Sequence, residues 1–292
     1  MKPKRLNPGG SYWIWYVLPA LVFYVLFMAY PMLDSVRMSF YTGRYNDMTF
    51  TGFDNFAKLF SGGETSLRYW SAFKNTCVFF IIHMLVQNVL GILFAVLLTQ
   101  PKMRGFKIYQ TIIFIPCTFA VLVTGYLWKL ILNPQWSGLG IPLLGNESTA
   151  LICVALVSCW QWIGIPTMMF VAALNNISED IYEAADIEGA TPWQVFLHIK
   201  LPLIKPVVGI ITILTFVNNF NAFDVVFAME NANGAPGYST DLIGTLFYRV
   251  GIAGQHPVAI PDTGLGAAIA TITFILLLIG SLIGLKLTSS RE

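Results

Sequence analysis

Six long apolar runs separated by short polar segments make up most of this chain. They cover roughly 12–33, 72–98, 108–132, 150–174, 207–229 and 264–287. Each holds the ~20 largely apolar residues that a membrane-crossing helix needs. Buried strands of a soluble core carry apolar runs of only about 4–8 residues, so the pattern predicts six transmembrane helices. Between the fourth and fifth runs lies a polar segment, 178–205, with its own helix starts and stops. Ser178 is an N-cap, and Glu179 and Asp180 place negative charge on the positive end of the helix that follows. Gly189 supplies the left-handed stop. Thr191, Pro192 and Gln194 then give a cap, a first-turn proline and a capping-box partner, while His198 and Lys200 suit the negative end. The segment reads as two short helices joined by a turn at Gly189-Ala190.

Composition agrees with a polytopic membrane protein. Hydrophobic residues make up 56% and charged residues 11%, against about 25% charged in soluble domains. Six spans put both termini on one side. With the N-terminus inside, the inner segments hold ten basic residues (Lys2, Lys4, Arg5, Lys102, Arg104, Lys107, Lys200, Lys205, Lys286, Arg291). The outer segments hold five (Arg37, Arg44, Lys58, Arg68, Arg249), with Lys74 and Lys129 near helix ends. The positive-inside rule therefore favours cytoplasmic termini. The plan is a cytoplasmic stretch 1–11, a transmembrane domain 12–288 with segment 178–205 facing the cytoplasm, and a cytoplasmic end 289–292. The apolar part of the first run exceeds the about 7–15 residues of a signal-peptide core, and no A-x-A-like cleavage site follows it, so it reads as a retained helix. Cys77, Cys117, Cys153 and Cys159 fall inside predicted spans at spacings that suit neither disulfides nor a metal.

The first outer loop, 34–71, is rich in aromatics and reads as a small ordered cap. The second, 133–149, is short. The third, 231–263, is full of the turn formers glycine and proline. No G-x-x-x-x-G-K-[ST] nucleotide loop is present, so uphill transport would draw on an ion gradient or on another chain.

Glu183-Ala184-Ala185, Gly189 four residues after Ala185, and then Ile199-Lys200-Leu201-Pro202 fit E-A-A-x3-G-x9-I-x-L-P without gaps. This spacing resembles the EAA loop of ABC importer permeases. The stretches 215–224 (TFVNNFNAFD) and 264–271 (GLGAAIAT) resemble the carbohydrate-uptake class, of the maltose and glycerol-phosphate type. The resemblance spans roughly 12–288. It implies an all-α, six-span, type I permease-like fold in a bacterial inner membrane. It also implies that Glu183, Ala184, Ala185, Gly189, Ile199 and Pro202 form a coupling segment docked on an ATPase. Implied partners are a pair of ABC ATPase subunits, which would use the ATP, a second homologous permease chain and an extracytoplasmic solute-binding protein. This chain itself would need no cofactor and no nucleic-acid partner. An ordinary amphipathic helix lying on the membrane surface is the bland alternative.

Polar residues inside spans are candidate cargo contacts, or glue between helices. In the fifth run Thr215, Asn218, Asn219 and Ala222 share one helical face, and amides offer the donors and acceptors that sugar hydroxyls require. Asn221 and Asp224 point elsewhere on a regular helix. The resemblance implies sugar contact for Thr215 and Asn219 in particular, with Ala222 standing where the maltose-type permease has a further Asn. In the fourth run Trp160, Gln161, Gly164 and Thr167 share another face, Trp162 and Ile163 lie in the matching segment, and Pro166 is a kink candidate. Trp160 and Trp162 could equally be packing or lipid-facing residues. Asp224 is the one acid well inside a predicted span, which keeps an ion-coupled secondary transporter open as the rival. His83 reads as a packing histidine. No pair of titratable groups suits catalysis in the membrane, so the chain is expected to be a transport subunit and not an enzyme.

Overall fold

The computed structural model describes residues 12–100, 103–138 and 140–288. The expected cytoplasmic ends 1–11 and 289–292, and Lys102 of the charge count, lie outside the described residues. All the long elements are helices. The first, α1 (Ile14–Met38), leads into a hairpin of β1 (Tyr41–Arg44) and β2 (Asp47–Phe50) and a short α2 (Asp54–Phe60). Then come α3 (Glu64–Leu98), α4 (Phe106–Thr118), α5 (Val121–Ile131), α6 (Glu147–Trp162) and α7 (Gly164–Asn175). The polar segment forms α8 (Glu179–Ile187) and α9 (Pro192–Leu203). The chain finishes with α10 (Lys205–Phe220), α11 (Asp224–Glu230), α12 (Ile243–Ala253) and α13 (Thr263–Thr288).

Three predicted spans are single helices, α1, α3 and α13. The third and fourth are bent pairs: α4 and α5 meet at 98°, α6 and α7 at 45°. Proline explains the first bend. Pro116 has no N–H to continue an α-helix, the chain tightens to a 3-10 turn over Ile115–Thr118, and Phe119 and Ala120 are extended. Carbonyls freed inside a membrane need partners, and the neighbouring break provides them. The Gln161 Nε2 donates to the Phe119 carbonyl at 3.0 Å, and the Cys117 Sγ–H donates to the Gln161 carbonyl at 3.0 Å. The fourth-span bend falls at Ile163, three residues before Pro166, whose missing N–H leaves that turn loose.

The fifth run departs from a single helix over 207–229. α10 stops at Phe220, and Asn221–Phe223 breaks it before α11. Asn221 turns its amide back onto the Val217 carbonyl at 3.0 Å, a side-chain bond that competes with helix continuation. α11 then packs along α5, burying Val225, Val226 and Met229 with Phe79, Leu151 and Val154. A second apolar cluster joins α3, α12 and α13, and a third joins α3, α7 and the first turns of α10. α1 buries none of its apolar stretch, as expected of a helix whose sides face lipid or another subunit.

The first outer loop is an ordered cap. Thr42 and the backbone N–H of Gly43 in β1 both donate to Asp262, which also accepts from the N–H of Leu265 at the start of α13. Buried Asn55 donates to the carbonyls of Ser39 and Tyr41. The turn-rich loop 231–263 contains α12, and within it lies a fully buried ion pair, Arg249 with Asp241. Arg249 also sits 4.9 Å from the Tyr238 ring centroid, while Arg68 of α3 lies 4.0 Å from the same ring. Arg249, counted among the outer basic residues, is thus buried and paired, and it ties α12 to the loop that precedes it.

Removing one partner of a buried pair leaves the other charge uncompensated and costs about 3–5 kcal/mol, whereas replacing both by apolar residues is often neutral. Asp241→Asn should therefore lower the melting temperature of the detergent-solubilised protein sharply. The double change Asp241→Leu with Arg249→Met should recover most of it in the same thermal-unfolding measurement.

Candidate functional site

A cavity of about 460 Å³ opens between α3, α6, α7 and α10. On its α10 side stand Thr215, Asn218 and Asn219, followed by Asn221, Ala222, Phe223 and Asp224 from the break. Opposite are Phe79, His83 and Gln87 of α3, Ser158 and Trp162 of α6, and Ile165, Pro166 and Met169 of α7. Phe79, His83 and Gln87 align at i, i+4 and i+8, and His83 and Gln87 lie in a π-helical turn, His83–Asn88. Such widened turns recur at functional sites.

The polar side chains of the wall are largely held by the protein itself. The Thr215 hydroxyl donates to the Ile211 carbonyl at 2.8 Å and receives the Asn88 amide at 3.1 Å, so its hydrogen-bonding capacity is mostly taken. Asn219 donates its Nδ2 to the Thr215 carbonyl at 2.7 Å, and its Oδ1 is buried without a partner. His83 Nδ1 lies 2.9 Å from the Phe79 carbonyl and Nε2 lies 3.0 Å from Ser158 Oγ. Gln87 Oε1 is a second buried acceptor without a partner.

Three residues expected at the cargo site stand elsewhere. A Cβ on Gly164 would meet Ile113 O, Phe114 Cα and Cys117 Sγ at 2.9 Å; the glycine admits helix α4, not a ligand. Thr167 is fully buried and donates to the Ile163 carbonyl at 2.7 Å. Trp160 lies edge-to-face on Trp128 at 5.4 Å and is 41% exposed on the outside of the bundle. Asn221 and Asp224, expected to point elsewhere on a regular helix, come to the cavity because the helix breaks. His83, Gln87 and Ser158 were not singled out as contacts, although the polar stripe at 83 and 87 was a readable signal.

Asp224 is exposed at the first position of α11. It is not the buried carboxylate that the ion-coupled alternative needs.

The second assembly of interest is the polar segment. Ser178 Oγ accepts from the Asp180 N–H, and Thr191 and Gln194 form a reciprocal capping box. Gly189 has φ +69°, with Gly189 N–H to Asp186 O at 3.1 Å and Ala190 N–H to Ala185 O at 3.0 Å, the paired bonds of a Schellman stop. Lys200 Nζ lies 5.4 Å from the Tyr182 ring centroid and ties α8 to α9. Ala185 is buried inward; Glu183, Ala184, Pro202 and especially Ile187, at 86%, and Trp193, at 66%, are exposed. Ile199 is half-buried. Large apolar residues turned outward on an ordered surface are the composition of a protein or membrane contact.

Residues 87–289 match the family described as the inner membrane component of binding-protein-dependent transport systems. The chain belongs to this family. The lactose transport system permease protein of Rhizobium radiobacter is 30% identical, over 80% of this chain and 81% of that protein. The arabinooligosaccharides transport system permease protein of Bacillus subtilis is 28% identical over 94% and 88%. Among solved structures, a chain of a bacterial ABC transporter that imports the acidic polysaccharide alginate superposes with a TM-score of 0.79, at 22% identity, over 95% of both chains. This inner membrane component is thus a mostly helical protein with the ABC importer permease fold and several apolar helices, and the family resemblance read from the EAA spacing holds. The ion-coupled alternative finds no support.

Because Gly164 is closed on by backbone, Gly164→Ala should push α4 away from the α6/α7 bend. Overpacking of this kind costs about 1–3 kcal/mol. The variant should melt at lower temperature in detergent, while Thr167→Val, which removes only a hydrogen bond within its own helix, should melt close to wild type.

Proposed function

We propose that this chain is the membrane-spanning permease subunit of an ATP-driven sugar importer, with both termini in the cytoplasm of a bacterium. The observation that carries this reading is continuity. α7, which lines the cavity, runs directly into the polar segment, and α10, which carries Asn218 and Asn219, runs directly out of it. A force applied to α8 and α9 therefore reaches both walls of the cavity. Relatives whose names specify lactose and arabinooligosaccharides support a carbohydrate cargo, as does a wall of amides and hydroxyls.

The partners are then a pair of ATPase subunits seated on Ile187, Trp193 and the Gly189 turn, a second related permease chain, and an extracytoplasmic binding protein that delivers the sugar. ATP binding closes the ATPase pair and moves the docked segment. Coupling energy enters through contacts that differ between the two states of the machine, and the docked segment is where such contacts form. The cavity is then exposed alternately to the two sides.

Two measurements test this. Sealed vesicles holding the assembled transporter should accumulate sugar with ATP at the ATPase face and not with an imposed proton gradient alone; uptake on the gradient alone would overturn the reading. Gly189→Val should reduce copurification of the ATPase, because a β-branched residue at positive φ costs about 1–2 kcal/mol. No atom lies within 4 Å of a Cβ there, so the defect is in the backbone, and Gly189→Asn, which tolerates the left-handed region, should retain the ATPase.

A further inference from the structure

The break that ends α10 stands between two cavities and rests on a glycine. We propose that Gly244 of α12 is a specificity-determining residue: by letting α12 close on the backbone of the break it sets the width of the cargo cavity, and so the longest sugar that passes. The proposal rests on the sugar-importer reading above and deepens it, since that reading names a cargo class and no limit on its size.

Asn221 and Phe223 line the cavity described above, and they also line a second one, of about 580 Å³, whose wall includes Gly244, Phe247 and Tyr248 of α12. The break is thus a partition with α12 behind it. A Cβ on Gly244 would lie 2.5 Å from the Ala222 carbonyl oxygen and 3.2 Å from its carbon. The first distance is well inside the roughly 3.3–3.6 Å at which carbon and a carbonyl oxygen meet. Both atoms are backbone, so no side-chain rotation relieves the contact. The ring of Tyr248, 5.2 Å from that of Phe223, is a second point at which α12 meets the break.

Which side yields is set by what holds it. α12 starts from a buried and fully tied turn. The Ile243 N–H donates to the Thr76 hydroxyl of α3 at 3.1 Å, and that hydroxyl donates to the Ala72 carbonyl at 2.8 Å. The Asn75 amide donates to the carbonyls of Tyr238 and Asp241 at 3.2 and 3.0 Å. Asp241 is itself held by Arg249 and by the Thr245 hydroxyl. Ile243 and Leu246 are packed in one cluster with Tyr69 and Ala72 of α3 and Leu265 and Ala268 of α13. The break, by contrast, has open space on its other side, where Asn221 and Asp224 are exposed. A side chain at 244 therefore drives the break by about 0.8 Å or more into the cargo cavity. The next turns of α3 carry Phe79, His83 and Gln87 of the opposite wall. One helix thus fixes both sides of the cavity, directly on one and through α12 on the other.

The test uses the whole transporter in proteoliposomes, with its second permease chain, ATPase pair and binding protein. The probes are two ladders of sugars of increasing length, from maltose to maltotetraose and from arabinobiose to arabinotetraose, with lactose beside them. Every variant is loaded by the same binding protein, so a change in length preference reports on this chain. Gly244→Ala should lower uptake of the longest sugar that wild type accepts about tenfold more than that of the shortest, with the ATPase still copurifying. Thr76→Val removes the acceptor of the Ile243 N–H, lets α12 recede from the break and should shift the same ratio the other way. Thr76→Ser keeps the hydroxyl and should leave the ratio at the wild-type value. A merely structural role would depress all lengths in parallel. Such a parallel loss in Gly244→Ala would overturn the proposal and leave the importer reading standing. So would a wild-type ratio in both variants, or in Thr76→Val alone where Gly244→Ala fails to assemble. Uptake of a single length by wild type would do the same, because a limit set by space passes every shorter sugar. ATP-driven uptake of none of the probes would overturn both readings.

Discussion

Every backbone N–H and C=O inside a bilayer must find a partner within the protein, and the shape of this molecule follows from where that requirement is hard to meet. Straight helices satisfy it automatically, and α1, α3 and α13 do so. Broken helices do not. The α4/α5 break and the α6/α7 break lie against each other, and each supplies what the other lacks. The Gln161 side chain reaches the free carbonyl of Phe119, and Cys117 reaches the carbonyl of Gln161. Gly164 has no side chain, so the two bent backbones can approach closely enough for this exchange. The paired breaks hold α6 and α7 at the angle that opens the cavity.

The same constraint connects the cavity to the polar segment. α7 and α10 are the helices on either side of that segment in the chain, and both end at the cavity. The segment is folded independently of the membrane, by a cap at Ser178, a Schellman stop at Gly189 and a capping box at Thr191. Local bonds of this kind give a stiff piece, and a stiff piece can transmit a displacement. α9 and α10 meet at 67°, so under the proposed coupling a displacement of the segment would reach α10 at that angle.

Much of this was legible from residue pattern. The six apolar runs correspond to three single long helices and up to three bent pairs among the described residues, and the caps and stop of 178–205 were assigned residue by residue, because helix termini are governed by local chemistry. What failed to show was whatever depends on packing. A regular helix over 207–229 put Asn221 and Asp224 away from the cargo. The burial of Val225, Val226 and Met229 against α5 and α6 favours a break there instead, and local pattern carries no trace of that competition. Pattern could not decide the surroundings of Gly164 and Arg249 for a related reason. A glycine in a span admits either a ligand or a helix, and an arginine in a loop is either solvated or paired; only the tertiary neighbour decides. His83 was the opposite case, a packing histidine that also faces the cavity.

Thr212, Thr215, Asn219 and Asn221 all bond to the carbonyl four residues earlier on α10. Such bonds relieve the cost of carrying polar groups in an apolar setting, because each donor is satisfied before any ligand arrives. They also sort the residues by what remains. Thr215, having donated to its own helix and accepted from Asn88, has little left to offer and serves to hold α10 against α3. Asn219 has a second polar atom, and that atom is left over. Asn218, by contrast, lines the cavity with both halves of its amide, a donor and an acceptor. The bonds that make polar residues tolerable within the membrane thus also decide which of their atoms stay open to the cavity.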